Sequence, residues 1–324
     1  MTLPVKVLAV ALACASAQAA AQSKEPAYPT KPIRCIVPFP PGGTADIQGR
    51  VLSEKLAQRL GQQVLIDNRG GANGSIGMEL TARAPADGYT IVVATVGTWA
   101  INPYLYKLSY DVLDFAPIIH VATTPGVLIV HPSLPVKSVK ELIALAKRRP
   151  GELTYGSAGI GGFGHMSGEL FSMMANVRMS HVPYKGSGPS TTDLLGGHIQ
   201  IIFNSAVPSV PHIKSGKVRA LATTGAVRMA ILPELPTIAE TGLPGYENST
   251  WTAIGAPPRT PRAITERLNK ELNGILQLPE VQQIARNDGS VITGGTPEDF
   301  HNLLKKDLGK FAKLVKAAGI KAEQ

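Results

Sequence analysis

The sequence is poor in cysteine and in charge, and its charges are not clustered. Of its 324 residues, 2 are cysteines and 17% are charged, with 32 Lys and Arg against 23 Asp and Glu and a net charge of +9. No block of five or six basic residues occurs, which disfavours a nucleic-acid partner and leaves attraction to small anions open. Because 44% of the residues are apolar, the chain can bury enough surface to fold, and disorder is excluded.

Long apolar runs are also missing, because no stretch of about 20 apolar residues that could span a membrane occurs. The N-terminus has the pattern of a cleavable signal peptide, in which Lys6 precedes a short apolar run and small residues follow up to Ala21. We therefore predict that residues 1–21 are a signal peptide and that the mature chain is exported to the periplasm. Cys14 leaves with this segment, and a lipoprotein cysteine there is the weaker alternative. Cys35 then has no disulfide partner, and we expect it to be a small buried side chain.

Short apolar runs alternate with amphipathic segments over most of the chain, which predicts the α/β class with mostly parallel sheets. The predicted strands are Ile33–Val37, Val64–Ile66, Thr90–Ala94, Val127–Val130, Leu153–Tyr155, Ile199–Phe203 and Val218–Ala222. Apolar residues at helical spacing predict a helix after Thr44. Ser138 with Glu141 predicts a capping box, and the Thr-Pro pairs at 260–261 and 296–297 predict two further helix starts.

Two Thr-containing segments, 122–124 and 222–224, each follow a predicted strand and lie about 100 residues apart. They are compatible with two crossovers between domains, which would make the middle third of the chain an inserted domain. On this interpretation residues 28–123 and 224–324 form domain 1, and residues 124–223 form domain 2.

Three glycine-rich segments lie at predicted strand-to-helix turns. They are PFPPGGTADIQGR (38–50), TYGSAGIGGFGHMSGELF (154–171) and VPYKGSGPSTTDLLGG (182–197). Glycines let the backbone approach a ligand, and the following helix offers unpaired N–H groups that suit a carboxylate or a phosphate. For a single segment, a tight turn without ligand is the simpler interpretation. The three together favour an anion-binding crevice at the carboxyl ends of the strands.

Other chemistry has little support. Gly159, Gly161 and Gly164 satisfy the G-x-G-x-x-G pattern, but no acidic residue follows at the distance that a ribose contact requires, so a nucleotide cofactor is not expected. No G-x-S-x-G elbow occurs, and the seven histidines lack the i, i+4 spacing of a helical metal pair. We therefore expect neither a metal nor a cofactor. His165, at the start of a predicted helix, is the one histidine that could cap the helix or contact a ligand.

Several of these segments closely resemble the Bug family, the periplasmic receptors of tripartite tricarboxylate transporters. The resemblance runs from about Tyr28 to Ile320, and its specific strings occur in the same order as in the family. They are YPTKPIRCIVPFPPGGTADIQGR, DNRGGANGSIGMELTARAPADGYT, NPYLY, SVKELIALAKRRPGELTYGSAGIGG, VPYKGSGPSTTDLLGG and LPTIAETGLPGY. The family implies a type II periplasmic-binding fold, whose two lobes close on a small carboxylate-bearing solute.

The resemblance also implies a set of ligand-binding residues. In relatives, the loops matching Phe39–Thr44 and Ser157–His165 face each other and hold a ligand carboxylate through backbone groups and waters. Other positions would line the rest of the cleft. The resulting candidate set is Phe39, Gly42, Gly43, Thr44, Thr98, Asn102, Ser157, Gly161, Gly162, His165, Pro189, Ser190, Asn204 and Trp251.

Departures from the family pattern qualify this set. Gly70 replaces a common proline, which should loosen one turn. Asn204 stands where relatives often carry an acid, which disfavours amino-acid ligands and favours dicarboxylates, hydroxy acids or aromatic acids. We expect Asp46 to bond N–H groups of its own helix rather than ligand, and Asp193 to organise its loop. For Trp251, core packing is as plausible as ligand contact.

The resemblance implies a receptor that binds a carboxylate and delivers it to a membrane permease, and nothing in the sequence pattern requires more than a monomer. A sensor that signals to a partner protein is an alternative. An exported carboxylate-processing enzyme is a weaker one, because no nucleophile–base pair is recognisable in the sequence.

Overall fold

The computed structural model describes residues 28–184, 186–287 and 289–320, so the predicted signal peptide and Cys14 lie outside the described residues. The strands are β1 (Ile33–Val37), β2 (Val64–Asn68), β3 (Thr90–Thr95), β4 (Ala116–Val130), β5 (Thr154–Ser157), β6 (Ser180–Pro183), β7 (Ile201–Ser205), β8 (Arg219–Thr223), β9 (Ser249–Ala256) and β10 (Val291–Ile292). The α-helices are α1 (Thr44–Leu60), α2 (Ser75–Ala82), α3 (Asn102–Leu105), α4 (Val139–Arg148), α5 (Phe163–Ala175), α6 (Ser187–Leu195), α7 (Ala206–Lys214), α8 (Ile238–Thr241), α9 (Arg262–Leu276), α10 (Pro279–Asn287) and α11 (Pro297–Ala318).

The strands follow the order β2-β1-β3-β9-β4-β7-β5-β6, with β8 and β10 also paired to β4. β1 pairs in parallel with β2 and β3, and β5 pairs in parallel with β6 and β7. The two groups are joined by the antiparallel pairs β3–β9, β9–β4 and β4–β7, and β8 and β10 also pair antiparallel with β4. Each group is therefore the parallel sheet of one lobe, with helices between its strands, as the α/β prediction requires.

The long strand β4 belongs to both lobes. Its residues from Ala116 to Pro125 pair with β9, and those from Gly126 to Val130 pair with β7. A Cβ atom built at Gly126 would lie 2.5 Å from the Asn204 carbonyl oxygen and from the Phe163 ring, so only glycine fits where the strand changes partners. The change falls just after the predicted crossover at 122–124. The assignment of whole chain segments to two domains stays a prediction.

One apolar core runs through both lobes. Trp99 packs edge-to-face on Phe115 and Phe300, with ring centroids 5.3 and 5.4 Å apart, and the same cluster includes Tyr155 and Phe171 of the other lobe. A second cluster lies between α1, α9 and the β1 sheet and contains Cys35, whose thiol pKa burial raises to about 12. The expectation of a buried, unreactive Cys35 is confirmed.

Most predicted elements are present, with shifts of one or two residues at their ends. An exception is Val127–Val130, which is the end of the 15-residue β4, and β9 was not predicted. At Thr296 the capping box is complete, since Thr296 and Asp299 bond each other's backbone N–H. Ser138 caps α4, but Glu141 accepts from the Lys137 N–H rather than from that of Ser138. The prediction at 260–261 is wrong by one residue, because the Thr260 hydroxyl donates back to the Pro257 carbonyl and Pro261 is the N-cap of α9.

Candidate functional site

The first glycine loop (residues 38–44) joins β1 to α1. Gly42 has a φ of +91°, which glycine adopts without strain, and Gly43 is the N-cap of α1 with no side chain bonded to the first turn. Gly42, Gly43 and Thr44 are exposed. The N-terminus of α1 therefore presents backbone donors to solvent, the arrangement that binds a carboxylate.

The buried side chain of Asp46 fixes the conformation of this loop. Its buried carboxylate accepts hydrogen bonds from the Gly42 N–H at 2.9 Å, from Asn68 Nδ2 at 2.9 Å and from the Arg50 guanidinium at 3.0 Å. Asn68 also donates to the Phe39 carbonyl at 3.0 Å. Chiefly through the Arg50 hydrogen bond, the pKa of Asp46 is lowered to about 2. Asp46 has the predicted structural role, but its backbone partner lies in the loop and not in the first helical turn.

The segment after β3 packs beside the first glycine loop. The ring of Phe39 and the methyl group of Thr98 both lie against Gly74, where a Cβ atom would overlap Thr98. The Thr98 hydroxyl donates to the Thr95 carbonyl at 2.8 Å, so its proton is bonded within the protein rather than directed at a ligand. Asn102 is fully buried and donates to the Asn73 carbonyl at 2.9 Å. Asn102 thus shapes the turn beside the first loop, and its amide protons are directed at the protein.

The second glycine loop (residues 157–162) joins β5 to α5 in the other lobe. Gly162 is the N-cap of α5, again with no side chain bonded to the first turn. The buried Ser157 hydroxyl accepts from the Gly159 N–H at 3.2 Å, and His165 Nδ1 accepts from the Gly161 N–H at 3.0 Å. The Gly161 N–H is therefore occupied within the protein, and the Gly162 N–H donates to the Gly159 carbonyl at 3.2 Å. The free backbone donors at this terminus thus begin no earlier than Phe163.

His165 stacks on His181, with ring centroids 3.8 Å apart and an angle of 5° between the ring planes. Burial, together with the charge that His181 would carry, lowers the pKa of His165 to about 3, and burial lowers the pKa of His181 to about 4. Both rings are consequently neutral near pH 7. A neutral imidazole can accept a hydrogen bond, as His165 Nδ1 does here.

The third glycine loop (residues 186–190) precedes and begins α6. Ser190 is buried and lies under Gly156, whereas Pro189 is exposed. Tyr184 donates to Asp193 at 2.7 Å, so Asp193 organises this loop as predicted. Asn204, at the end of β7, donates to the Thr191 hydroxyl at 3.4 Å and supplies no charge.

Trp251 is placed away from these loops. Its side chain is buried, its indole N–H donates to Asp307 at 2.6 Å, and its ring packs on Phe300 and His120. It lines a cavity of about 480 Å³ between β9 and α11, and no residue of the three glycine loops lines that cavity. The structure therefore supports the core-packing role of Trp251 and does not bring it to the ligand candidates.

Comparison with known proteins identifies the family of the chain. Residues 49–320 match the family described as "TctC: Tripartite tricarboxylate transporter family receptor". The chain belongs to this family. Protein BugT of Bordetella pertussis is 37% identical over 310 residues, 95% of each chain, so the predicted Bug resemblance is confirmed.

Solved structures of other receptors have the same fold. R. palustris Rpa4515 with adipate is 40% identical with a TM-score of 0.80, over 91% of this receptor chain and 100% of its own. MatC from Rhodopseudomonas palustris with bound malate is 28% identical with a TM-score of 0.76, over 89% and 100% of the two chains. The predicted two-lobed periplasmic-binding fold is confirmed. Within residues 28–184, 186–287 and 289–320, no helix is long and apolar enough to cross a membrane.

Two site features of this receptor are not recognisable from the sequence. His181 lies 24 residues after Ser157, and the pairing of β5 with β6 brings its Nε2 to 2.7 Å from the Ser157 hydroxyl. Leu105 belongs to the other lobe, yet it packs against Gly161. The family string NPYLY contains Leu105 and was the only available signal.

The Ser157–His181 contact has the spacing of a nucleophile and its base, and the enzyme alternative needs such a pair. In the described part of the chain, however, no carboxylate is hydrogen-bonded to His181, and its low pKa makes it a poor base near pH 7. Nor does any group of three His, Cys, Asp or Glu side chains with metal-binding geometry occur among the described residues. The contact is therefore best explained as part of the loop's internal hydrogen bonding.

Proposed function

We propose that this chain is a periplasmic receptor that binds a small carboxylate between its lobes and delivers it to a tripartite-type membrane permease. The observation that carries the proposal is a pair of helix N-termini, those of α1 and α5, each preceded by a glycine loop and free of side-chain caps. The partial positive charge at such termini stabilises a carboxylate without a fixed cation. The relatives' adipate and malate complexes support the same ligand class.

The charges near the loops support an acid with no ammonium group. Arg50, the guanidinium next to the first loop, is paired with Asp46. Asn204 is neutral and offers no partner for a ligand ammonium. Dicarboxylates, hydroxy acids and aromatic acids are the expected ligands, bound mainly by backbone N–H groups. A stronger response to aspartate or glutamate than to the deaminated acid would contradict this choice.

Export and partner follow from the same proposal. Residues 1–21, proposed as a signal peptide, would place the mature monomer in the periplasm, where the liganded form docks on permease subunits. Loss of uptake of the identified acid in cells that lack this chain tests delivery. Unchanged uptake with a lost transcriptional response would favour the sensor alternative.

Binding is tested by thermal shift on mature protein that has been refolded to remove co-purified ligand. The panel holds mono-, di- and tricarboxylates, aromatic acids, amino acids, amines and sugars. An acid at about 100 times its Kd adds about 2.7 kcal/mol, which raises the Tm by a few degrees. A rise confined to carboxylates supports the proposal, and a rise with amines or sugars instead would contradict it.

Removing a single backbone N–H group, that of Thr44, provides a sharper test of the proposed carboxylate site. Thr44 is the first residue of α1, where proline is tolerated, and Gly43 has the extended conformation that a residue before proline adopts (φ −82°, ψ 168°). Thr44→Pro therefore removes one N–H donor while preserving the helix. We expect about 10- to 100-fold weaker acid binding, in line with the loss of one charge-assisted hydrogen bond of about 1.5–3 kcal/mol. Thr44→Ala keeps the N–H and is the matched control for loss of the side chain.

A further inference from the structure

His165 makes an unusual contact for a residue in the first turn of a helix. Its Nδ1 reaches back past the N-cap, Gly162, and accepts the Gly161 N–H at 3.0 Å. The side chain is only 7% exposed, so this hydrogen bond is shielded from water. An N–H that loses its acceptor at a buried position must find another or remain unsatisfied, and the second glycine loop would have to change its conformation.

The imidazole plane of His165 is held from several sides. His181 stacks on one face at 3.8 Å, Tyr155 lies beyond with a centroid distance of 6.5 Å, and Glu169 lies 3.8 Å from His165 Nε2. His181 is in turn hydrogen-bonded to the Ser157 hydroxyl at 2.7 Å. Since the loop begins at Ser157 and His165 bonds it at Gly161, both of its ends are fixed by this one stack of rings.

Gly161 is also where the opposite lobe contacts the loop. It has a φ of +74°, and a Cβ atom built there would overlap Leu105 Cδ1 and lie 3.8 Å from Ile101 Cγ2. Leu105 ends α3, the short helix that begins at the candidate residue Asn102. The contact leaves no space for a side chain at position 161, so the position of the Gly161 backbone decides whether Leu105 can approach.

We propose that His165 is a positioning residue for lobe closure: by accepting the Gly161 N–H it holds the glycine backbone where Leu105 of the opposite lobe packs. The effect of His165 on ligand binding rests on the proposed function. The hydrogen bond to Gly161 and the packing of Leu105 exist without a ligand. Closure on an acid would therefore require an acceptor atom at the Nδ1 position and an absence of side chain at residue 161.

The hydrogen bond is tested by amide hydrogen exchange in the full mature chain without ligand. His165→Asn places a carbonyl oxygen near the Nδ1 position, whereas His165→Gln places its polar atoms one bond farther out. We expect the Gly161 amide to stay protected in the wild type and in His165→Asn, and to exchange at least tenfold faster in His165→Gln. His131→Gln removes an imidazole acceptor that bonds Ser133 elsewhere and is the control. Equal protection in all four proteins would overturn the proposal.

The packing contact is tested by a rescue experiment. Gly161→Ala introduces the overlapping Cβ atom, and Leu105→Ala removes the atom that it would meet. We expect Gly161→Ala to lower the Tm by several degrees and the double variant to regain part of that loss. A double variant whose loss equals the sum of the two single losses would show that Leu105 does not pack on Gly161, and would overturn the proposal.

Acid binding separates this inference from the proposed function. With adipate as the probe, followed by the other acids of the panel, a wild type that binds none contradicts the proposed function, while the exchange and rescue results still decide on His165. Suppose that the wild type binds an acid, that His165→Gln binds it at least tenfold more weakly and that His165→Asn binds it with nearly wild-type affinity. This result supports both the proposed function and the positioning role of His165. Equal affinity in His165→Gln would overturn the positioning role alone.

Discussion

Asp46 resolves a difficulty in the site, namely a carboxylate placed close to a loop that is proposed to bind another carboxylate. Arg50 neutralises the charge of Asp46, and Arg50 and Asn68 both donate hydrogen bonds to its carboxylate oxygens. The pKa of Asp46, about 2, keeps the carboxylate ionised at neutral pH. Its charge is thereby directed into the protein, where it holds the Gly42 N–H. Asp46 and Asn68 therefore fix the conformation of the first glycine loop in front of α1 by hydrogen bonds to Gly42 and Phe39.

Replacing Asp46 by Ala should affect both stability and binding. Three donors lose their acceptor, and we expect the free energy of unfolding to fall by about 1–3 kcal/mol, with weaker acid binding because the loop loosens. Urea denaturation and calorimetric titration measure the two effects. Asp67→Asn is the matched control, since Asp67 of β2 pairs at a partly exposed site with Arg34 of the neighbouring strand β1 and with Arg69 just after β2. We expect a loss below about 1 kcal/mol for this variant. Equal losses would contradict the special role of Asp46.

The buried histidines predict how stability depends on pH. The pKa values of His120, His165 and His181 are lowered in the folded chain to about 4, 3 and 4, chiefly by burial, against about 6.5 in the unfolded chain. The unfolded state therefore binds more protons below pH 6.5, and the folded state loses stability as the pH falls from about 6.5 toward 4. Each histidine contributes a slope of up to about 1.4 kcal/mol per pH unit in this range.

Urea denaturation at several pH values checks this slope. His181→Gln keeps a polar atom near Ser157 but cannot titrate, so its slope should be smaller than that of the wild type by about one histidine's contribution. A wild-type stability that is constant between pH 6.5 and 4.5 would show that these histidines are protonated in the folded protein as well.

At the residue scale, the sequence predicted the glycine turns of the candidate site better than the side-chain contacts around them. The glycines at 42, 43, 161 and 162 are recognisable because turns and helix starts have local signatures. The His165–His181 stack has no local signature, since it depends on β5 and β6 pairing in register. Trp251 was assigned to the ligand by resemblance alone, and its partner Asp307 lies 56 residues away.

At the scale of elements, β4 shows why a buried apolar strand was predicted while the strand segment that precedes it was not. The predicted strand Val127–Val130 lies in the last third of β4, the part that belongs to the second lobe, and its apolar run is continuous. The first two thirds of β4, and β9 opposite them, contain Thr, Pro and Gly, which predict turns when taken alone. They form strands here because each completes the hydrogen bonding of the other.

The crossing point can be tested with a pair of glycine substitutions. Gly126→Ala places a methyl group against the Asn204 carbonyl and the Phe163 ring, and we expect a loss of about 1–3 kcal/mol from this overpacking. Gly309, exposed in the middle of α11, has no atom within 4 Å of a built Cβ, and Gly309→Ala should stabilise the chain by about 0.5–1 kcal/mol. Urea denaturation of both variants measures the effects. Similar changes in both would indicate that β4 has room at its crossing.

At the scale of the whole molecule, the two lobes share too much structure to be independent. β4 contributes to both sheets, α11 packs on α5 of the other lobe, and a single apolar cluster contains Trp99 and Phe300 together with Tyr155 and Phe171. Opening the cleft has to leave this shared core intact. Lobe movement is therefore expected to be a small rotation about the β4 crossing, and contacts such as that between Leu105 and Gly161 are the ones that change.

This shared core predicts one cooperative unfolding transition for the mature chain. Separating the lobes would expose the aromatic cluster to water, so neither lobe is expected to remain folded when the other unfolds. In differential scanning calorimetry we expect a single peak whose calorimetric and van't Hoff enthalpies agree, and a bound acid should move the whole peak upward by a few degrees. Two peaks, of which the acid moves one, would instead show that each lobe folds on its own and that the ligand-binding loops belong to the lobe whose peak moves.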